Sequence, residues 1–193
     1  MITANAISSI EWLFEKSVRE NSCVGPEDNC IVTSLPELAS STKPENRKLV
    51  VLNISSFIFR IVALIEFDSN PSTTAHLAKI LRSPDMRLEG QTLLDAYAEF
   101  VNMICGAVNR RLSAELRHVG MSTPFVLDSA SAGYLPMLRP TKTKSFEVAV
   151  NETNFFKLTL CICVADDNSL NLNIDQSDKS DQEDHSTGEL ELF

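Results

Sequence analysis

The stretch from residue 91 to residue 116 restricts this chain most, because it lacks proline and any β-branched run and repeats its apolar positions at helical spacing. Leu93, Leu94, Tyr97, Phe100, Val101, Ile104, Val108 and Leu112 fall on the sides that a core can bury. The spacing therefore predicts one long amphipathic helix. At about 100° per residue, Asp95, Glu99, Asn102, Gly106, Asn109 and Ser113 lie within roughly 40° of a single line along it. A fold built on this segment must bury one side of the helix and leave a polar stripe free.

The remaining pattern surrounds that helix with strands and shorter helices. Ile7, Ile10, Leu13, Phe14 and Val18 give residues 3–19 one apolar side, and Asn70-Pro71 starts a helix that runs to about Arg82 before Pro84. Residues 49–54 and 57–67 are rich in Val, Ile and Phe and read as a hairpin, although the usual turn glycine is missing. Residues 125–127, 145–150 and 155–164 are further strand candidates, the last two pairing around residues 151–154. Residues 21–47 carry Gly25, Pro26, Pro36 and Pro44 and read as a loop-rich connection with a short strand near residues 31–35.

The formal charge of −9 is unevenly distributed. Residues 165–193 hold nine Asp and Glu against Lys179, a net of −8, which leaves −1 for residues 1–164. The body has no basic stripe of the kind that neutralises nucleic-acid phosphates, so no nucleic-acid partner is expected. From residue 165 onward Asp, Ser, Asn and Gln dominate, and the composition predicts a disordered acidic tail behind a single domain of residues 1–164.

Cys23, Cys30, Cys105, Cys161 and Cys163 are odd in number and form no CxxC pair, which fits free thiols in a reducing compartment. Cys161 and Cys163 are two apart in an apolar run and are expected to face one side of a strand as packing residues. No basic and then apolar leader opens the chain. The longest apolar run, residues 49–67, contains Asn53, Ser55, Ser56 and Arg60, which fits strands better than a membrane span. A cytoplasmic protein with no membrane partner is expected.

A carboxylate and a carboxamide at i and i+3 project from one helix face with different chemistry: Glu99 attracts a cation, and Asn102 can hold a water through both donor and acceptor. Gly106, one turn on, withholds a side chain where a docked surface could approach. Glu-x-x-Asn alone arises by chance about once in a few hundred residues. Its neighbours add weight: residues 95–106 read DAYAEFVNMICG, Arg111-Leu112-Ser113 follows, and then Ser122-Thr123-Pro124. This pattern resembles the CheX family of chemotaxis phosphatases, whose members carry an acidic residue, a Glu-x-x-Asn-Met-Ile-x-Gly core, a Leu-Ser ending and a Ser-x-Pro entry into a strand. The related CheC proteins usually carry two such motifs. This chain has one, which favours CheX.

The resemblance is strongest over about 35 residues and compatible in element order with residues 1–164. It implies an α+β, CheC-like fold with a mainly antiparallel sheet packed by helices, one of them the long catalytic helix. It also implies a homodimer whose sheets join, and hydrolysis of the aspartyl phosphate on a CheY-like receiver domain. Glu99 and Asn102 would then be catalytic, with Glu99 pairing with the receiver's lysine and Asn102 orienting the attacking water. Asp95, Gly106, Asn109 and Ser113 would form the docking surface. The receiver would hold Mg²⁺, and this chain needs no metal of its own. The alternative is a CheX-like module that binds a receiver or another signalling partner without catalysis. Three features depart from the family: residues 49–67 lack glycine, residues 22–47 are polar, and the tail is acidic. His76 and His118 form no ligand-spaced pair, His185 lies in the tail, and neither a phosphate-binding glycine loop nor a Gly-x-Ser-x-Gly elbow is present.

Overall fold

The computed structural model describes residues 1–36, 47–84, 87–165 and 167–176. Among these described residues three helices pack on one face of a seven-stranded antiparallel sheet, the α+β architecture expected. Helix α1 spans Ala4–Ser22 and is capped by Thr3, whose Oγ1 accepts the Ala6 N–H at 3.2 Å. Strand β1 is Cys30–Leu35, and β2 (Arg47–Ser55) and β3 (Phe59–Asp68) form the hairpin. Helix α2, Pro71–Ile80, starts as predicted: Asn70 Oδ1 accepts the Thr73 N–H at 3.0 Å, and proline occupies the first turn, where its missing N–H costs nothing. Helix α3 is Gly90–Glu115. Strands β4 (Gly120–Met121), β5 (Phe125–Asp128), β6 (Lys142–Val150) and β7 (Thr153–Val164) complete the sheet.

The strand order is β1-β6-β7-β3-β2-β4, with β5 also paired to β2. Val50, Leu52 and Ile54 of β2, Ile61, Ala63, Ile65 and Phe67 of β3, and Leu158, Leu160 and Ile162 of β7 share one core with the buried sides of α1 and α3. Alternation along each strand sends this set to one face, and burying each Val, Leu, Ile or Phe side chain among them stabilises by about 1.5–3 kcal/mol. Aromatic rings fix α3 on the sheet: Tyr97 stacks on Phe67 with centroids 4.1 Å apart, and Phe100 lies 5.4 Å from Phe155. Phe155 and Phe156 are both buried although adjacent, because the β6–β7 register shifts at Val148/Ala149. Val148 faces Phe156 and Ala149 faces Asn154, so Phe155 is the unopposed residue of a bulge and turns toward the core.

The opposite face of the sheet carries a smaller cluster of Leu49, Val62, Leu64 and Cys161, covered by Ala132, Leu135 and Leu138 of a 3₁₀ segment, Ser129–Leu138. The sequence pattern did not mark that segment. Cys161 is a packing residue as expected, while Cys163 is half-buried beside the Leu138 carbonyl.

Packing onto the main core continues past residue 164. Leu170 and Leu172 are buried in the main core, and Ile174 packs against it. The Leu170 N–H donates to Met1 O at 2.8 Å, the Thr3 N–H to Leu170 O at 3.1 Å, and the Ile174 N–H to Ser9 Oγ at 3.1 Å. Three apolar residues at i, i+2 and i+4 suffice to seat residues 170–174 on α1, a signal that the polar average over residues 165–193 hides. Residues 177–193 of the expected tail, and residues 37–46 of the connection before β2, lie outside the described residues.

Candidate functional site

The polar stripe of α3 emerges where the sheet margin leaves it uncovered. Asp95 and Glu99 are exposed and Asn102 is half-exposed, while Ala96, Tyr97, Phe100, Val101, Ile104 and Cys105 are buried behind them. The helix cannot rotate without losing that buried face, so its orientation is set by packing and the stripe is presented rigidly. Gln91 Nε2 donates to Asp95 Oδ1 at 2.7 Å, which steadies the first carboxylate. Among the described residues, no hydrogen bond or ion pair engages the side chains of Glu99 or Asn102.

Residues 121–124 form the opposite wall. Asp95, Ala98, Glu99 and Asn102 on one side and Met121, Ser122, Thr123 and Pro124 on the other enclose an open groove of about 430 Å³. Here the chain leaves β2 between two short pairings: β4 is opposite Ile54 and Ser55, and β5 opposite residues 48–51. Ser122 spans the gap, its Oγ accepting the Asn53 N–H at 3.1 Å and its own N–H donating to Asn53 O at 2.9 Å. Pro124 has no N–H to lose to the groove. The structure thus brings Ser122-Thr123-Pro124 beside Glu99 and Asn102, two parts of one sequence pattern separated by some twenty residues.

The other predicted docking residues divide. Gly106 is half-exposed, and a Cβ placed on it would meet nothing closer than Arg110 Nη1 at 3.7 Å. Ser113 is exposed. Asn109 is half-buried, and its Oδ1 is enclosed without a hydrogen-bond partner, so its carbonyl end turns toward the body. Arg110, which the sequence reading passed over, is exposed beside Gly106. Its spacing of eleven residues from Glu99 puts it about 20° from that residue around the helix, a signal that a stripe read from the acidic and small polar residues leaves out.

Four of the thiols are held in their protonated, weakly nucleophilic form. Burial pushes Cys105, on the hidden side of α3, up to about 12 and Cys30 up to about 11, and it also raises Cys23 and Cys161. Among the described residues no group of three or more His, Cys, Asp or Glu is placed to hold a metal ion. His76 is used structurally, its Nε2 hydrogen-bonded to Ser22 O at 2.8 Å and its ring edge-on to Phe155. His118 takes a left-handed conformation just past the end of α3. No helix among the described residues is long and apolar enough to cross a membrane. The arrangement offers an exposed carboxylate, a free carboxamide one turn along, and a shallow groove that a partner surface could fill.

No family model matches the chain, and no curated protein matches it. Solved structures do. The fold is similar to that in the CheX-CheY-BeF3-Mg²⁺ complex from Borrelia burgdorferi, with a TM-score of 0.58, 9% identity, and 83% of this chain and 99% of that chain covered. It is similar to chemotaxis protein CheX from Vibrio vulnificus, with a TM-score of 0.53, 12% identity, and 82% and 99% covered. The FliM middle domain from Vibrio alginolyticus aligns with a TM-score of 0.52, 10% identity, and 80% and 92% covered. The chain has the fold of the CheC/CheX proteins, as the sequence resemblance implied.

Proposed function

We propose that this chain, built on the CheC/CheX fold, hydrolyses the aspartyl phosphate of a CheY-like receiver domain in chemotaxis or a related two-component pathway. The carrying observation is that Glu99 and Asn102 stand unpartnered on a rigid helix face, across a groove from Ser122-Thr123-Pro124. Phosphoryl transfer asks mainly for positioning and charge stabilisation, with little covalent chemistry from the protein. An amide reaching the receiver's phosphoaspartate can orient a water for in-line attack, and Glu99 can pair with the receiver's lysine to set the docking. Mg²⁺ belongs to the receiver on this reading. A solved CheX-CheY complex among proteins of this fold supports a receiver as partner. The resemblance also leads us to propose a homodimer and a cytoplasmic location.

The test follows phosphate decay on the cognate receiver with wild-type protein and with Asn102→Ala. Acceleration by the wild type alone is expected. No acceleration by the wild type removes the enzyme, and equal acceleration by both removes the role of Asn102. Binding of the phosphorylated receiver without acceleration identifies a non-catalytic docking module instead.

A further inference from the structure

On the receiver-docking reading, we propose that Arg110 is a positioning residue: its guanidinium meets an acidic group on the receiver and fixes the direction in which the receiver lies along α3. The geometry begins at Gly106. A Cβ built there lies 3.7 Å from Arg110 Nη1, so the arginine folds back one turn and rests over the bare backbone of the glycine. Its guanidinium is then level with Gly106, about 6 Å along the axis from Asn102 and about 10 Å from Glu99. Arg110 lies only about 20° around the helix from Glu99, so the carboxylate and the guanidinium fall near one line, with the amide of Asn102 about 60° to one side of Glu99.

Arg110 is exposed, and no hydrogen bond, ion pair or ring contact engages it among the described residues. Arg111, next in the chain, is half-buried with its guanidinium over the Trp12 ring, 5.8 Å from the centroid, and so belongs to the packing against α1. The stripe is therefore polar along its length: Asp95 and Glu99 make one end negative, and Arg110 makes the other positive. A receiver phosphorylation site offers the complement, with a lysine on one side and, on the other, the carboxylates that hold its Mg²⁺. Docking with the lysine at Glu99 puts acidic surface within reach of Arg110; docking in the reverse sense sets like charges against each other at both ends.

The test uses the full chain and the cognate receiver, phosphorylated by a small acyl phosphate for turnover and loaded with beryllofluoride and Mg²⁺ for binding. Arg110→Glu is expected to raise the half-saturating receiver concentration and the dissociation constant by about tenfold while leaving the plateau rate unchanged, with the gap narrowing as salt rises. Arg110→Lys should stay within about threefold of wild type. An Arg110→Glu variant that binds as tightly as wild type, or that loses plateau rate at unchanged half-saturation, overturns the proposal. A wild-type protein that binds but does not accelerate decay removes the catalytic reading, and Arg110 is then judged on the binding constants alone. A wild-type protein that does neither removes both.

Discussion

Ser122 and Asn53 exchange two hydrogen bonds, the Asn53 N–H to Ser122 Oγ at 3.1 Å and the Ser122 N–H to Asn53 O at 2.9 Å, and this side-chain rung replaces a backbone rung where the chain steps off β2. The same Oγ donates to Thr123 O at 2.9 Å, so one hydroxyl sets both the wall of the groove and its turn. Ser122→Ala should cost about 1 kcal/mol through the stranded Asn53 N–H, read as a lower urea midpoint. Receiver docking should weaken with it, because the wall is no longer held.

Glu99→Gln takes away only a charge and Asn102→Ala only an amide, and neither group holds anything within the described body. Both variants should unfold within about 0.5 kcal/mol of wild type while receiver dephosphorylation falls, a separation that thermal denaturation and phosphate decay measure side by side.

Gly106→Ala places a methyl group where the nearest contact is an ordinary 3.7 Å. Interior helical glycine costs about 0.5–1 kcal/mol relative to alanine, so this variant should be more stable by that amount. If a receiver closes on the bare backbone, the same methyl weakens binding. A gain in melting temperature with a loss of affinity is the expected pairing.

The packed C-terminal segment is tested by Leu172→Ala, which should cost about 2–5 kcal/mol as a buried leucine truncated in a filled core. Removal of residues 177–193 leaves every described contact of Leu170, Leu172 and Ile174 in place, and should leave the urea midpoint close to that of the full chain.

Asp28 is held below the ordinary carboxylate range, first by the Asn151 side chain, whose Nδ2 donates to Oδ1 at 2.7 Å, and then by the Val24 N–H, 2.7 Å from Oδ2. A depressed native value means that the contribution is present above the unfolded value near 3.9 and is lost as pH falls through the native one. Asn151 has φ 50°, so Asn151→Gly keeps the backbone and deletes only the amide. The stability difference between wild type and Asn151→Gly should shrink as pH is lowered from about 5 to about 2.

Much of the fold was legible because long periodic segments carry their own evidence. Helix α3, the β2–β3 and β6–β7 hairpins and the Asn70-Pro71 helix start all lie close to where spacing and capping chemistry put them. Short features escaped. A two-residue strand such as Gly120–Met121 has no periodicity to read, the bulge at Phe155 depends on a register set by β6, and the 3₁₀ segment owes its place to the apolar patch it covers. At the site, one face of the groove was written in the i, i+3 and i, i+7 spacing of α3. The facing wall was visible only as a motif, because pairing to Asn53 is what carries Ser122 there.

The hydrogen bonds between Met1 and Leu170 and between Ser9 and Ile174 span most of the chain. During synthesis α1 emerges before every described strand of the sheet, yet the apolar side it shares with Leu170 and Leu172 is not covered by them until residue 174 has been made. The core around α1 is therefore completed only by contacts of long sequence separation, the kind that slow folding and leave apolar surface open to aggregation while they form.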